Sequence, residues 1–294
     1  MLLAPPASLH PTKEQFQVAL KEIEKFSPAP VILAQALRLL RDPRSDIESI
    51  AALVGSDAAL TADIIRSANS VFYAGGQCTS ISEAVQKIGF KETVRQLNMA
   101  VARIASGRDL GCYGIHGTDF WAESLFNGLF LQRLAIETGE CDPDVAYTVG
   151  LLRFIGRLAI NQAIENLRGG LYWIGPESIS QWELDNVGLI QAEAGAMLLR
   201  TWQFPGEIVE AIARQDAPAL QDKKNWLAEA LFFASALLPQ GIGTPFNPAM
   251  GSSLASLPVG MDFMHHYGLE AVTAEQLLEQ TSVEFERIRT TFGV

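Results

Sequence analysis

Val145-Ala-Tyr-Thr-Val-Gly-Leu-Leu-Arg153-Phe-Ile-Gly-Arg157-Leu-Ala-Ile160 is the stretch on which the fold turns. Asp142-Pro143 just ahead of it opens a helix, with a carboxylate at the N-cap and then a ring that fixes φ at the first helical position. Two charges in the whole run, with apolar groups on nearly every face, predict one central helix, Val145 to Ile160, buried on most sides. A membrane span is excluded, because Arg153 and Arg157 sit in its middle and the run falls short of the about 18 apolar residues a span needs. Four residues apart, the two guanidinium groups share one helix face, and buried they must find acceptors.

Composition sets the outer limits. The 294 residues suffice for one large or two modest domains, and 48% hydrophobic with 19% charged residues is a globular balance. With 33 acids against 22 bases the net charge is -11, which argues against nucleic acid and anionic membranes as partners. Cys78, Cys112 and Cys141 are too few and too far apart for a disulfide framework or a zinc pair, and fit thiols in a reducing compartment. The N-terminus lacks the basic region and long apolar core of a signal peptide, so a cytoplasmic location is expected.

Outward from the central stretch, the chain reads as helix after helix. Thr12-x-x-Gln15, Ser45-x-x-Glu48, Ser80-x-x-Glu83, Ser180-x-x-Glu183 and Thr273-x-x-Gln276 are capping boxes, the first opening a helix to about Phe26. Pro30 suits the first turn of a helix carrying Leu33, Leu37 and Leu40, and Ser56 or Asp57 caps one carrying Leu60, Ile64 and Ile65. Further helices are expected over Lys91–Ala105, from Thr118 to Thr138 with Gly139 as its stop, after Pro205, and over Trp226–Leu238. Ala192, Gly195 and Ala196 put small residues on one face, which allows close helix packing. Gly107–Gly117 reads as a joint, Gly169-Gly170 as a break, Pro239–Pro258 as a surface loop, and the five tryptophans as packing. No window alternates long enough for a strand, so the fold class is all-α.

Several patterns resemble the HDOD domain. In the first half these are Phe26-Ser-Pro-Ala-Pro, Leu39-Leu-Arg-Asp-Pro, the run from Ile50 to Tyr73 with its Ala68-Asn-Ser, and Ile81-Ser-Glu-Ala-Val-Gln-Lys-Ile-Gly. The second half agrees in Phe120-Trp-Ala-Glu-Ser-Leu, Gly150-Leu-Leu-Arg-Phe-Ile-Gly-Arg, Ala192-Glu-Ala-Gly-Ala-Met-Leu-Leu and Trp202-Gln-Phe-Pro-Gly. The resemblance covers roughly residues 20–238. It implies a two-lobed multi-helix bundle: an N-terminal helical subdomain over 1–110, a degenerate HD-like helical subdomain over 111–240, and a loop with C-terminal helices packing on the core over 241–294. HDOD domains are distant relatives of HD-type metal-dependent phosphohydrolases and occur in bacterial signalling and regulatory proteins.

By that resemblance the metal-binding positions are replaced. A working HD site needs imidazoles and carboxylates to hold divalent metal and acidify its water. Here the first histidine position is Glu123, the His-Asp pair is Arg153-Phe154, a third histidine position is Gln191, a His-His pair aligns with Arg214-Gln215, and the terminal aspartate position is Ser235. An Arg153–Glu123 ion pair is expected to replace the metal as the tie between two helices, and Arg157 to pair with a neighbouring acid or carbonyl. The histidines, His10, His116, His265 and His266, fall outside that pocket, and Asp262-x-x-His265-His266 reads as a polar helix end. Asn69-Ser70 reads as a helix end with side chains bonding backbone, and Gly75-Gly76 as a turn.

The expected function is therefore a non-catalytic signal-transduction module without metal or other cofactor, a pseudoenzyme acting through a protein partner or a nucleotide-like small ligand. The alternatives are a residual phosphohydrolase on nucleotides or cyclic dinucleotides and a plain scaffold or dimerisation unit. No output domain is recognisable, so the signal is expected to leave through protein contacts.

Overall fold

Asp142 caps its helix as the sequence implies, its Oδ1 accepting from the backbone N–H groups of Asp144 and Val145 at 2.9 and 3.2 Å. The computed structural model describes residues 14–16, 18, 29–39, 42, 44–70, 77–106, 109–166, 170–175, 177–217, 225–237 and 258–292. Fourteen α-helices and no strand occur among them. The first lobe holds α1 (Ala29–Leu39), α2 (Ile47–Val54), α3 (Ala58–Ala68), α4 (Ile81–Ile88) and α5 (Phe90–Ser106). The second holds α6 (Gly117–Thr138), α7 (Pro143–Leu151), α8 (Ile155–Asn166), α9 (Ile179–Val187), α10 (Gln191–Thr201), α11 (Gly206–Ala213) and α12 (Trp226–Leu237), followed by α13 (Pro258–Tyr267) and α14 (Ala271–Phe292). The start of the Thr12 helix, Leu40, Gly75-Gly76, Gly107, Gly169, His10 and residues 239–257 of the expected loop lie outside the described residues.

One hydrophobic cluster runs through both lobes, from Leu33 and Leu37 on α1 to Phe285 on α14. Helix α6 is apolar on every side, with Phe120, Phe126, Phe130 and Leu134 buried, so it must be covered all round. Helices α5, α7, α12 and α14 supply that cover. Phe285 meets Phe126 edge-on at 5.7 Å, and Phe233 of α12 stacks on Phe263 of α13 at 4.6 Å.

The central stretch is the main correction. It is not one helix but two, α7 and α8, separated by a turn at Leu152-Arg153-Phe154. The N–H of Arg153 bonds the carbonyl of Gly150 at 3.3 Å, three residues back, so the turn tightens there and ends α7. The carbonyl of Arg153, freed from the helix ladder, accepts from Gln215 Nε2 at 3.1 Å. Glycines on either side let neighbours close in. A Cβ on Gly150 would sit 2.4 Å from the carbonyl oxygen of Asn127 on α6, and one on Gly156 would sit 1.9 Å from that of Gln191 on α10. Gly195 faces Gly156 across the same crossing, the close approach that the small face of α10 implies.

Several caps shift by one to three residues. Asp46, not Ser45, caps α2 by accepting from Ser49 N–H, and Ser178, not Ser180, caps α9 by accepting from Gln181 N–H. In both cases the acceptor lies three residues before the amide it serves, the spacing an N-cap requires. Helix α6 starts after His116 rather than at Thr118, and α14 at Ala271 ahead of Thr273. Asp57, Ser80 and Gly139 act as the sequence implies, Gly139 with φ of 67°.

Candidate functional site

A cleft of about 570 Å³ opens where the α7–α8 turn meets α9, α10 and α12. Arg153, Phe154 and Arg157 form its floor, with Gln191 and Ser235 beside them. The break between α7 and α8 aims these side chains inward. Arg153, 2% exposed, donates through Nη1 to Asn127 Oδ1 at 2.7 Å and through Nη2 to Ser235 Oγ, which itself donates to the carbonyl of Leu231. Asn127 Nδ2 donates in turn to the carbonyl of Glu123, which ties the network to α6. Phe154 lies under both guanidinium groups, 4.7 Å from that of Arg153 and 4.1 Å from that of Arg157.

The expected Arg153–Glu123 pair does not form. Glu123 Oε2 faces Arg157 Nη1 at 3.7 Å, so the carboxylate from α6 ties to α8 one turn further on, and Arg157 has the acid it was expected to find. Arg153, in the turn, takes neutral partners instead. Burial holds the Glu123 carboxyl above the usual range, opposed by the pull of Arg157 and then Arg153. Burial likewise pulls the Arg153 guanidinium down to about 10, with Glu123 and Asp216 acting the other way.

The sequence-derived residues divide accordingly. Arg153, Phe154, Arg157, Gln191 and Ser235 line the cleft, while Glu123 and Gln215 lie behind it as supports. Arg214 is elsewhere: it pairs with Glu210 at 3.1 Å and lines a separate groove with Arg38, Arg200 and Gln203.

Four groups were not legible as site residues. Glu183, read as the end of a capping box, is fully buried in the cleft wall, where it accepts from Tyr113 O–H at 2.8 Å and from the backbone N–H of Gln191 at 2.7 Å. Its carboxyl is raised, first by burial. Asp216, one residue past Arg214-Gln215, stands exposed at the mouth, raised by the surrounding protein against the pull of Arg153 and Arg157. Trp173 closes one side from an irregular segment, pinned by its N–H to the carbonyl of Cys112 at 2.7 Å and by its indole N–H to that of Glu177. Ser178 and Ser180 bring the start of α9 to the rim. An acid beside a matched pair was the one signal that could have found Asp216; no spacing marks the others.

Comparison with known proteins fixes the family. The HDOD domain profile matches residues 27–218. This chain belongs to the HDOD family. A crystal structure of an HDOD domain protein with unknown function from Geobacter sulfurreducens superposes with TM-score 0.64 at 20% identity, covering 92% of this chain and 96% of that one. A protein from Marinobacter aquaeolei VT8, provisionally described as a signal transduction protein, gives TM-score 0.69 at 21% identity over 96% of this chain and 65% of that one. At such identities the likeness is one of fold. An uncharacterized protein of Treponema pallidum (strain Nichols) is 28% identical over 222 residues, 72% of this chain and 42% of the relative, so the chain spans less than half that relative's length.

The divalent metal that the HD-type relationship implies does not fit this HDOD cleft. Two guanidinium groups occupy its floor, where a cation would meet like charge, and Glu183 already accepts two hydrogen bonds. Among the described residues no group of three or more His, Cys, Asp or Glu side chains is arranged to hold a metal ion. His116 stands at the start of α6 beside Asp109, and His265 and His266 are exposed on α13. Asn69 does what its position implies: its amide bonds both the N–H and the carbonyl of Cys78, at 2.7 and 2.9 Å. No helix among the described residues is long and apolar enough to cross a membrane.

Proposed function

We propose that this HDOD domain is a regulatory module of signal transduction that acts by binding and does not turn over a substrate. The cleft takes a small ligand, and the bound state is read by a protein partner in the cytoplasm. The observation that carries this reading is Arg153, a buried guanidinium hydrogen-bonded to neutral Asn127 and Ser235, at a position where the family's catalytic relatives need a metal-binding imidazole. Metal-assisted hydrolysis of a phosphodiester needs a cation to activate water, and the two guanidinium groups of the floor repel one. Net charge of -11 speaks against nucleic acid as the partner.

The test is a turnover assay with Mn, Fe or Mg added to the purified chain, using nucleotide esters and cyclic dinucleotides as substrates. No hydrolysis above the metal-only control is expected. Metal-dependent turnover abolished by Glu183→Gln or Asp216→Asn would replace this reading with a phosphohydrolase. Partner capture from cytosol, compared between the wild type and Arg153→Gln, tests the output side.

A further inference from the structure

We infer that the cleft is a metal-independent site for a phosphate monoester that carries a flat ring, a mononucleotide in chemical class, with the phosphate toward Arg153 and the start of α9 and the ring toward Trp173. This rests on the binding-module reading above and specifies its ligand. Arg153 carries a full charge, is 2% exposed, and has only neutral hydrogen-bond partners at contact distance. A buried cation without a contacting anion is costly, and a ligand oxyanion is the group that relieves it.

Helix α9 adds to the lining of the same cleft. Its first two residues, Ile179 and Ser180, line the cleft, and their amides have no partner within the helix, while Ser178 Oγ serves Gln181 further in. One donor on the floor, Arg153 Nε, is buried with no hydrogen-bond partner, on a residue that faces the cleft. None of the acids among the described residues is in hydrogen-bond contact with Arg153. Glu183 is occupied by Tyr113 and Gln191, Glu123 faces Arg157, and Asp216 stands at the mouth.

The rest of the lining selects against a bare anion. Trp173 and Phe232 offer apolar faces, and the Asp216 carboxylate can accept from ring N–H groups. A volume of about 570 Å³ is in the range of sites that enclose a ligand of mononucleotide size. Inorganic phosphate would satisfy only Arg153 and the helix start, and a nucleoside only the aromatic faces.

The experiment is calorimetric titration of the whole chain in EDTA with adenosine and guanosine monophosphate, inorganic phosphate and the two nucleosides. One monophosphate is expected to bind at one site per chain, at least tenfold tighter than phosphate or its nucleoside. Ser180→Glu, a change at an exposed rim position that leaves the core untouched, should weaken it by about ten- to a hundredfold, as should Arg153→Gln if that variant folds. Equal binding of phosphate or nucleoside, indifference to Ser180→Glu, or no binding of either monophosphate overturns this inference. The turnover assay is independent of it: with no binding and no hydrolysis the regulatory reading survives without this ligand, whereas metal-dependent binding with hydrolysis removes both.

Discussion

Replacing Glu123 by Gln tests whether the tie between α6 and α8 is electrostatic. At 3.7 Å from Arg157 Nη1, a full charge pair contributes about 4.5 kcal/mol of attraction at an effective dielectric of about 20. Removing one partner of a fully buried pair costs about 3–5 kcal/mol, because the other charge stays behind. Two features reduce that here: the Glu123 side chain is 15% exposed, and burial already works against its charge. Because burial outweighs the pull of Arg157, the charged form is the disfavoured one in the fold, and the expected change at neutral pH is small, within about 1 kcal/mol of wild type. The pH dependence supplies a second readout. A carboxyl raised in the folded state binds its proton more tightly there, so its contribution is fully present below the ordinary value of 4.5 and is lost as pH rises through the folded pKa. Glu183 and Asp216 are raised in the same direction and act likewise. Wild-type stability should thus decline as pH rises from about 4.5, and Glu123→Gln should make that decline shallower without abolishing it. Urea melts of both chains across pH 4–8 measure this. A variant with an unchanged slope against pH would refute this reasoning.

Three further outcomes are expected. Gly156→Ala should cost about 3 kcal/mol or more, since its Cβ would meet backbone of α10 at 1.9 Å and the helices must part; Gly111→Ala, with nothing within 4 Å, is the control in the same urea melts. Asn69→Ala should cost about 1–2 kcal/mol by thermal melting, because it strips two hydrogen bonds from the backbone of Cys78. A thiol reagent at pH 8 should label half-buried Cys141 in the native chain and leave Cys112, 4% exposed with its thiol pushed up by burial, until the chain unfolds; mass spectrometry of labelled peptides reads the order.

The all-α class and several helix ends were legible because they are set by local chemistry. Asp142-Pro143, Ser80, Asp57 and Gly139 act through groups within four residues of themselves. The α7–α8 break was not legible, because what stabilises it comes from far along the chain: Gln215 takes the freed carbonyl, and Asn127 and Ser235 take the guanidinium. The run has neither a proline nor a capping residue at Leu152-Arg153-Phe154, and its two glycines alone do not place a turn there. The same holds for Arg153's partner, since the expected pair with Glu123 came from matching family positions, while Asn127 and Ser235 lie far from Arg153 along the chain. Glu183 was misplaced for a related reason. Ser180-x-x-Glu183 has the form of a capping box, but Ser178 takes the cap, and burial beside Tyr113 gives Glu183 another task. Five of the eight residues carried over from the family resemblance line the cleft; Arg214 left it because its long side chain reaches Glu210 at the surface.

The polarity of the cleft is the point from which function follows, and a crystal grown with both adenosine monophosphate and Mn²⁺ addresses it directly. Phosphate oxygens in contact with Arg153 and the amides of Ile179 and Ser180, with no ion between them, is the expected density. A manganese ion held among Glu183, Asp216 and Glu123, with Arg153 swung out of the floor, would contradict it.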